Sequence, residues 1–152
     1  MPTPDNTDTD TDTDTDTAAA SAVTAVVHAW VDAFNSHDAA RVSALYDAQA
    51  VLWGTLSIDM ITSADAIDAY FDRTFQFNPP PTVRLGQLLV RVFGDTAVAS
   101  GGYTLAFEIA GQSHQVPARF SFTLHRKSDQ WRIVDHHSSL VPAALPAPLV
   151  SR

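Results

Sequence analysis

Asp135-His136-His137-Ser138-Ser139 is the run of this 152-residue sequence richest in groups that can move a proton. An imidazole titrates near neutrality, so either histidine is a candidate general acid or base. A hydroxyl is a candidate nucleophile only beside an activating base and an oxyanion site. The sequence shows neither for Ser138 or Ser139, so a hydrolase triad is disfavoured. The run lies inside Trp131–Leu140, which reads as a strand closed by Pro142. Successive strand residues point to opposite faces. His136 therefore shares a face with Val134 and Ser138, and His137 shares the other with Ile133, Asp135 and Ser139.

Tyr103, a group of aromatic side chains and Arg119 also carry candidate chemistry. Tyr103 follows Gly101-Gly102 within a strand pattern. It is placed either to bind a substrate oxygen or to serve as a core aromatic with a satisfied hydroxyl. Trp53, Tyr70, Phe75, Phe107, Phe120 and Phe122 make either a pocket for a flat ligand or ordinary core packing. Arg119 alternates with Phe120 and Phe122, which sends it to the outer face beside Asp135 or a partner's acid. A bulge would turn it inward as an anion anchor. With His136 and Tyr103 as the catalytic candidates, the ligand-binding candidates are Ser138, Phe122, Trp53, Tyr70 and Arg119.

No metal site or cofactor is expected. The six histidines show no helical i, i+4 pair, and there is no cysteine. Disulfides and thiolate chemistry are excluded with it. The net charge of −8 is concentrated at one end, because six aspartates fall in the first 17 residues and leave −2 for the rest. No basic stripe appears, so nucleic-acid binding is poorly supported. No run of 18 apolar residues and no basic-then-apolar leader pattern is visible. A membrane span is therefore not expected, and a cytoplasmic location is.

The elements that must position these groups follow from periodicity. Thr7–Thr17 alternates threonine and aspartate without an apolar residue, so residues 1–17 are expected to be a disordered acidic tail. It lacks the glycine turn and terminal glutamate of a calcium loop. Val23, Val26, Val27, Trp30, Val31 and Phe34 repeat at helical spacing, predicting a helix over 18–36. Asp38 is the expected N-cap of a short second helix through Tyr46. A short strand, Val51–Trp53, ends at Gly54. Ser63 is the expected N-cap of a third helix with Ile67, Tyr70, Phe71 and Phe75 inward, stopped by Pro79-Pro80-Pro81. Thr82–Phe93, Thr96–Ile109, Pro117–Lys127 and Trp131–Leu140 then read as long strands at hairpin spacing. Gly101-Gly102 marks an expected bulge or bend. Helices followed by a curved antiparallel sheet make an α+β fold over 18–142. Residues 143–152 read as a proline-rich tail.

This order resembles the nuclear transport factor 2-like cone fold, which includes ketosteroid isomerase and the SnoaL-like polyketide cyclases. It is similar above all to the association domain of calcium/calmodulin-dependent protein kinase II and its stand-alone bacterial relatives. Three stretches carry the resemblance: Ala33-Phe34-Asn35-Ser36-His37-Asp38, Leu124–Trp131 and Val134–Pro142. It spans roughly residues 20–145 and implies a cavity between helices and sheet. It also implies a homodimer or larger assembly through the outer sheet face. The kinase hubs carry cavity arginines at positions that fall near Tyr103, Phe122 and Ser138 here, none of which is basic. The isomerase chemistry needs an inward carboxylate, and Glu108, Asp135, Asp59 and Asp68 are not expected to supply it. The resemblance thus implies a small-molecule-binding protein with a neutral, aromatic cavity, as a modest isomerase, dehydratase or cyclase. The alternative is a non-catalytic association module.

Overall fold

The computed structural model describes residues 7–143, with side chains from Asp14 onward. Helix α1 (Thr7–Asn35) is followed by α2 (Ala39–Ser43), β1 (Tyr46–Trp53), β2 (Ile61–Thr62) and α3 (Ala64–Thr74). Four long strands complete the fold: β3 (Thr82–Phe93), β4 (Thr96–Ile109), β5 (Gln112–Lys127) and β6 (Gln130–Leu140). All six strands form one sheet in the order β2-β1-β6-β5-β4-β3. The architecture is α+β, with the helices packed on one face of the sheet.

α1 begins at Thr7, so the expected disordered tail does not extend over Thr7–Thr17. Helix nucleation is the costly step, and extension adds one hydrogen bond per residue. Residues 1–6 and the expected tail beyond Ala143 lie outside the described residues. The part Asp14–Asn35 is long and apolar enough to cross a membrane by composition. Its apolar stripe has another use, since Val23, Val27, Trp30 and Phe34 are buried against the sheet.

Local signals place the next elements. The Asp38 carboxylate accepts from Ala40 N and Arg41 N, and the Ser63 hydroxyl accepts from Ala66 N. The Asn35 side chain docks β3 onto the end of α1. Its Oδ1 accepts from Val83 N at 2.8 Å and its Nδ2 donates to Val83 O at 3.0 Å. Ala110 and Gly111 both have positive φ (53° and 78°), forming a two-residue hairpin turn. β5 therefore starts at Gln112, ahead of the Pro117 expected from sequence.

Three expectations need correction. Tyr46 is not the end of α2 but the first residue of β1. The sheet is not wholly antiparallel, because β1 runs parallel to β6. No hairpin joins those two strands, so no turn fixes their relative direction. Most consequentially, the alternation along β6 is broken. Thr123 pairs with Asp135 while Leu124 pairs with Ile133, leaving Val134 as the extra residue of a β-bulge. Trp131 and Ile133 before the bulge, and His136 and Ser138 after it, are consequently all buried on the inner face. Strict alternation would have sent Ile133 outward.

A second register shift lies on β3, between Leu85 and Leu88 opposite Gly101 and Tyr103. The expected irregularity at Gly101-Gly102 is thus real, but the extra residue is on the neighbouring strand. A Cβ on Gly101 would stand 2.2 Å from the Gln87 carbonyl oxygen.

Candidate functional site

His136 is 2% exposed at the centre of the inner face. Phe122 meets its ring edge-on, with centroids 4.3 Å apart, and Trp30 does so at 5.5 Å. Tyr103 is sandwiched between Trp30, at 5.5 Å and 16°, and Phe120, at 4.7 Å and 11°. These aromatic walls leave the polar atoms few partners except one another.

Those atoms form a single chain. Trp30 Nε1 donates to Tyr46 Oη at 3.0 Å, and Tyr46 Oη lies 2.7 Å from His136 Nδ1. His136 Nε2 lies 3.2 Å from Tyr103 Oη, and Tyr103 donates to Ser138 Oγ at 2.7 Å. Ser138 is hydrogen-bonded in turn to Thr55 Oγ1. Among the described residues no buried side-chain nitrogen or oxygen lacks a partner.

Burial first, and the neighbouring His137 second, lower the His136 pKa to about 3. The imidazole is therefore neutral at physiological pH. Burial raises the Tyr103 hydroxyl above its usual range, against the opposing bonds from Ser138 and Thr55. Burial likewise raises Tyr46 and Tyr70. In a dry, uncharged site every ionised form is disfavoured.

A cavity of about 20 Å³ adjoins this chain, bounded chiefly by Trp30, Thr55, Tyr70, Tyr103, His136 and Ser138. The space is about that of one water molecule. No carboxylate, lysine or arginine lines it. It shares Leu56, Tyr70 and Thr74 of its wall with a mouth groove of about 490 Å³. Ile58, Ile61 and Phe77 line that groove, and so do Asp59 and Arg73. Ile58 is 94% exposed there. Tyr70 forms the partition, its Oη accepting from Leu56 N at 3.4 Å. Gly54 leaves room for that ring, because a Cβ there would stand 2.4 Å from the Tyr70 hydroxyl.

Of the residues singled out from sequence, the structure brings together His136, Tyr103, Ser138 and Tyr70. Three others are elsewhere. Phe122 is fully buried behind His136 and does not reach the cavity. Trp53 is 37% exposed and turned outward against His137. Arg119 lies exposed on the outer face, where its Nη2 donates to Ser139 Oγ at 3.4 Å. Strand alternation explains Trp53, because its neighbour Leu52 takes the inward position. The polar participants missed from sequence are Trp30, Tyr46 and Thr55. Trp30 and Tyr46 sit at positions read as core, and the signal for them is their polar atom on a buried face. Thr55 carries no sequence signal beyond following Gly54. Among the described residues no cluster of histidine, aspartate or glutamate is able to hold a metal.

This α+β sheet-and-helix arrangement is the cone fold of the nuclear transport factor 2-like proteins, also described as cystatin-like. A family model described as the SnoaL-like domain matches residues 23–144, and the chain belongs to that family. Among solved structures, it is similar to a candidate calcium/calmodulin-dependent protein kinase II association domain from Xanthomonas campestris. Identity is 29% with a TM-score of 0.73, covering 80% of this chain and 87% of that one. It is also similar to a candidate dehydratase of the NTF2-like family from Streptomyces avermitilis, at 18% identity and TM-score 0.74. That match covers 86% and 99% of the two chains. The kinase hub of S. rosetta matches at 17% identity and TM-score 0.71, covering 80% and 97%. No curated protein matches the chain.

Proposed function

We propose that this protein is a non-catalytic binding member of the SnoaL-like family. Its cavity and mouth groove take a small, uncharged, largely apolar molecule. One observation carries the reading: the inner cavity has no charged side chain on its wall, and its buried polar atoms are paired with one another. The groove has the volume of an ordinary small-molecule site, and aliphatic and aromatic side chains dominate its walls. Ligand entry requires Tyr70 and Leu56 to part, joining the groove to the cavity.

Acid-base catalysis fits this site poorly. A general base needs a free lone pair and a pKa near the working pH. His136 Nδ1 already faces the Tyr46 hydroxyl, and its pKa is far below neutrality. Dehydratase chemistry of the kind named for the Streptomyces avermitilis protein calls for a base that this wall does not offer. His136 and Tyr103 are better read as positioning residues than as catalytic ones.

A thermal-shift screen of neutral against ionic small molecules tests the reading, since a ligand that binds only the folded state raises its stability. Stabilisation by neutral apolar compounds is the expected result. Stabilisation confined to anions or cations would reject it.

A role in association is a second and compatible reading. Leu89, Ser100, Ser121, His137 and Trp53 form one row across the outer sheet face. Leu89 is 58% exposed and Trp53 37%. The similarity to the Xanthomonas campestris association domain supports a homodimer or larger assembly through this face.

A further inference from the structure

Uncovered apolar side chains gather at the mouth of the cavity. Leu56, Met60 and Phe77 are about half exposed, and Ile58 almost wholly so. All but Met60 line the mouth groove, and Met60 follows on the same loop. Apolar side chains scattered singly over a surface need no explanation, whereas a contiguous set marks a contact surface. Phe77 also packs edge-on against Phe107 of the cavity wall, with ring centroids 5.5 Å apart.

The end of β6 opens onto the same rim. Ser138 and Thr55 are hydrogen-bonded, and Leu56 follows Thr55 directly. Leu140 is the next inner-face position after Ser138. Val141 N donates to Pro117 O at 3.2 Å, which holds the departing chain beside β5. Leu140 and Val141 are themselves about half exposed. The chain thus leaves the sheet beside the groove with its own apolar side chains uncovered.

Beyond the described residues the sequence continues with Leu145, Leu149 and Val150, interspersed with Pro146 and Pro148. This segment holds no acid, and Arg152 is its one cation. The groove wall carries Asp59, whose carboxylate forms no ion pair among the described residues. Extended at about 3.1 Å per residue, residues 144–150 reach about 22 Å. A segment tethered at the rim competes at an effective concentration of about millimolar, which favours it over a partner free in solution.

We infer that the groove is the docking site of this chain's own C-terminal segment, residues 144–150, which lies across the cavity mouth and must lift off before a ligand enters. Leu145, Leu149 and Val150 cover the apolar rim, and Asp59 receives Arg152. The docking stands on the groove and the course of β6. Its effect on ligands rests on the binding reading above.

The chain has no cysteine, so Ser151→Cys gives a single site for a nitroxide label on the full chain. The amide signals of Ile58, Ile61 and Phe77 are expected to lose intensity in the nitrogen-15-labelled protein. They should recover when Leu145→Asp and Leu149→Asp are added, since these keep the tether and remove the apolar contact. No loss, or a loss that survives the two aspartates, overturns the inference. A loss seen only between nitroxide-bearing chains and separate nitrogen-15-labelled chains would put a second copy's segment in the groove and overturn it as well. Toluene titrated into the full chain with and without the two aspartates, followed by ligand-detected NMR, tests the closure. The aspartate variant should bind it about tenfold more tightly, as for an open state about one-tenth populated. Equal affinities overturn the closure. Toluene that binds neither protein removes the small-molecule reading, and the nitroxide still decides the docking.

Discussion

The Tyr46 hydroxyl stands 2.7 Å from His136 Nδ1, and burial within an aromatic shell holds that imidazole neutral. An unfolded histidine takes up a proton near pH 6.5, whereas the buried one does so at about 3. Between those values the unfolded chain binds a proton that the native chain refuses. Native stability from this residue is thus complete above about pH 6.5. It falls as the pH drops, by about 1.4 kcal/mol per pH unit. Urea unfolding at pH 7 and pH 5 should show a smaller pH dependence in His136→Gln than in the wild type. Equal dependences would refute the assignment.

Tyr46 is bonded on both sides, so its removal unpairs two groups at once. Tyr46→Phe leaves Trp30 Nε1 without an acceptor and His136 Nδ1 without a donor. A buried unpaired group costs about 1–3 kcal/mol, and a loss at the upper end of that range is expected. Trp30→Phe made in the same background should then cost less than it does alone. A double-mutant cycle from denaturant unfolding measures the difference, and strict additivity would show that the chain is not coupled.

The sequence was most informative where structure is set locally. Asp38 and Ser63 cap helices because their side chains reach backbone N–H groups two or three residues on. β3 and β4 have the bounds that their sequence pattern and hairpin spacing predict. The bulge at Val134 was not legible, because it depends on how Thr123 and Leu124 of another strand meet β6. His136 and Ser138 line the cavity, and Ile133 rather than Val134 is buried on their face. Tyr46 and Thr55 escaped notice because their role is defined by residues about ninety positions away. Arg119 and Trp53 stand outside because their neighbours Phe120 and Leu52 take the inward positions.

The glycines separate steric need from backbone freedom. At Gly101 an added Cβ meets the Gln87 carbonyl oxygen at 2.2 Å, and backbone has nowhere to go. Gly94 has a positive φ of 64° with open space around it. Gly101→Ala should therefore cost about 3 kcal/mol or more, near the upper end of overpacking. Gly94→Ala should cost about 1–2 kcal/mol, the strain of a left-handed residue. Chemical denaturation of the pair ranks them, and a reversed order would mean that β3 shifts to relieve the contact.

The outer sheet face carries the last prediction. Leu89 lies on the strand at the edge of the sheet, and Trp53 stands at the other end of the same cross-strand row. A face that leaves Leu89 58% and Trp53 37% exposed gains most if a second copy covers it, and a stable pair buries at least about 1,000 Å². The wild-type chain is expected to be a dimer or larger at micromolar concentration. Leu89→Glu places a charge in the buried row, and its desolvation should shift the equilibrium toward monomer. Because Leu89 is exposed within one chain, the substitution should leave the monomer's fold intact by circular dichroism. Sedimentation velocity on both proteins decides the matter. A wild-type monomer would reject the association reading, and a variant that remains dimeric would move the contact to another face.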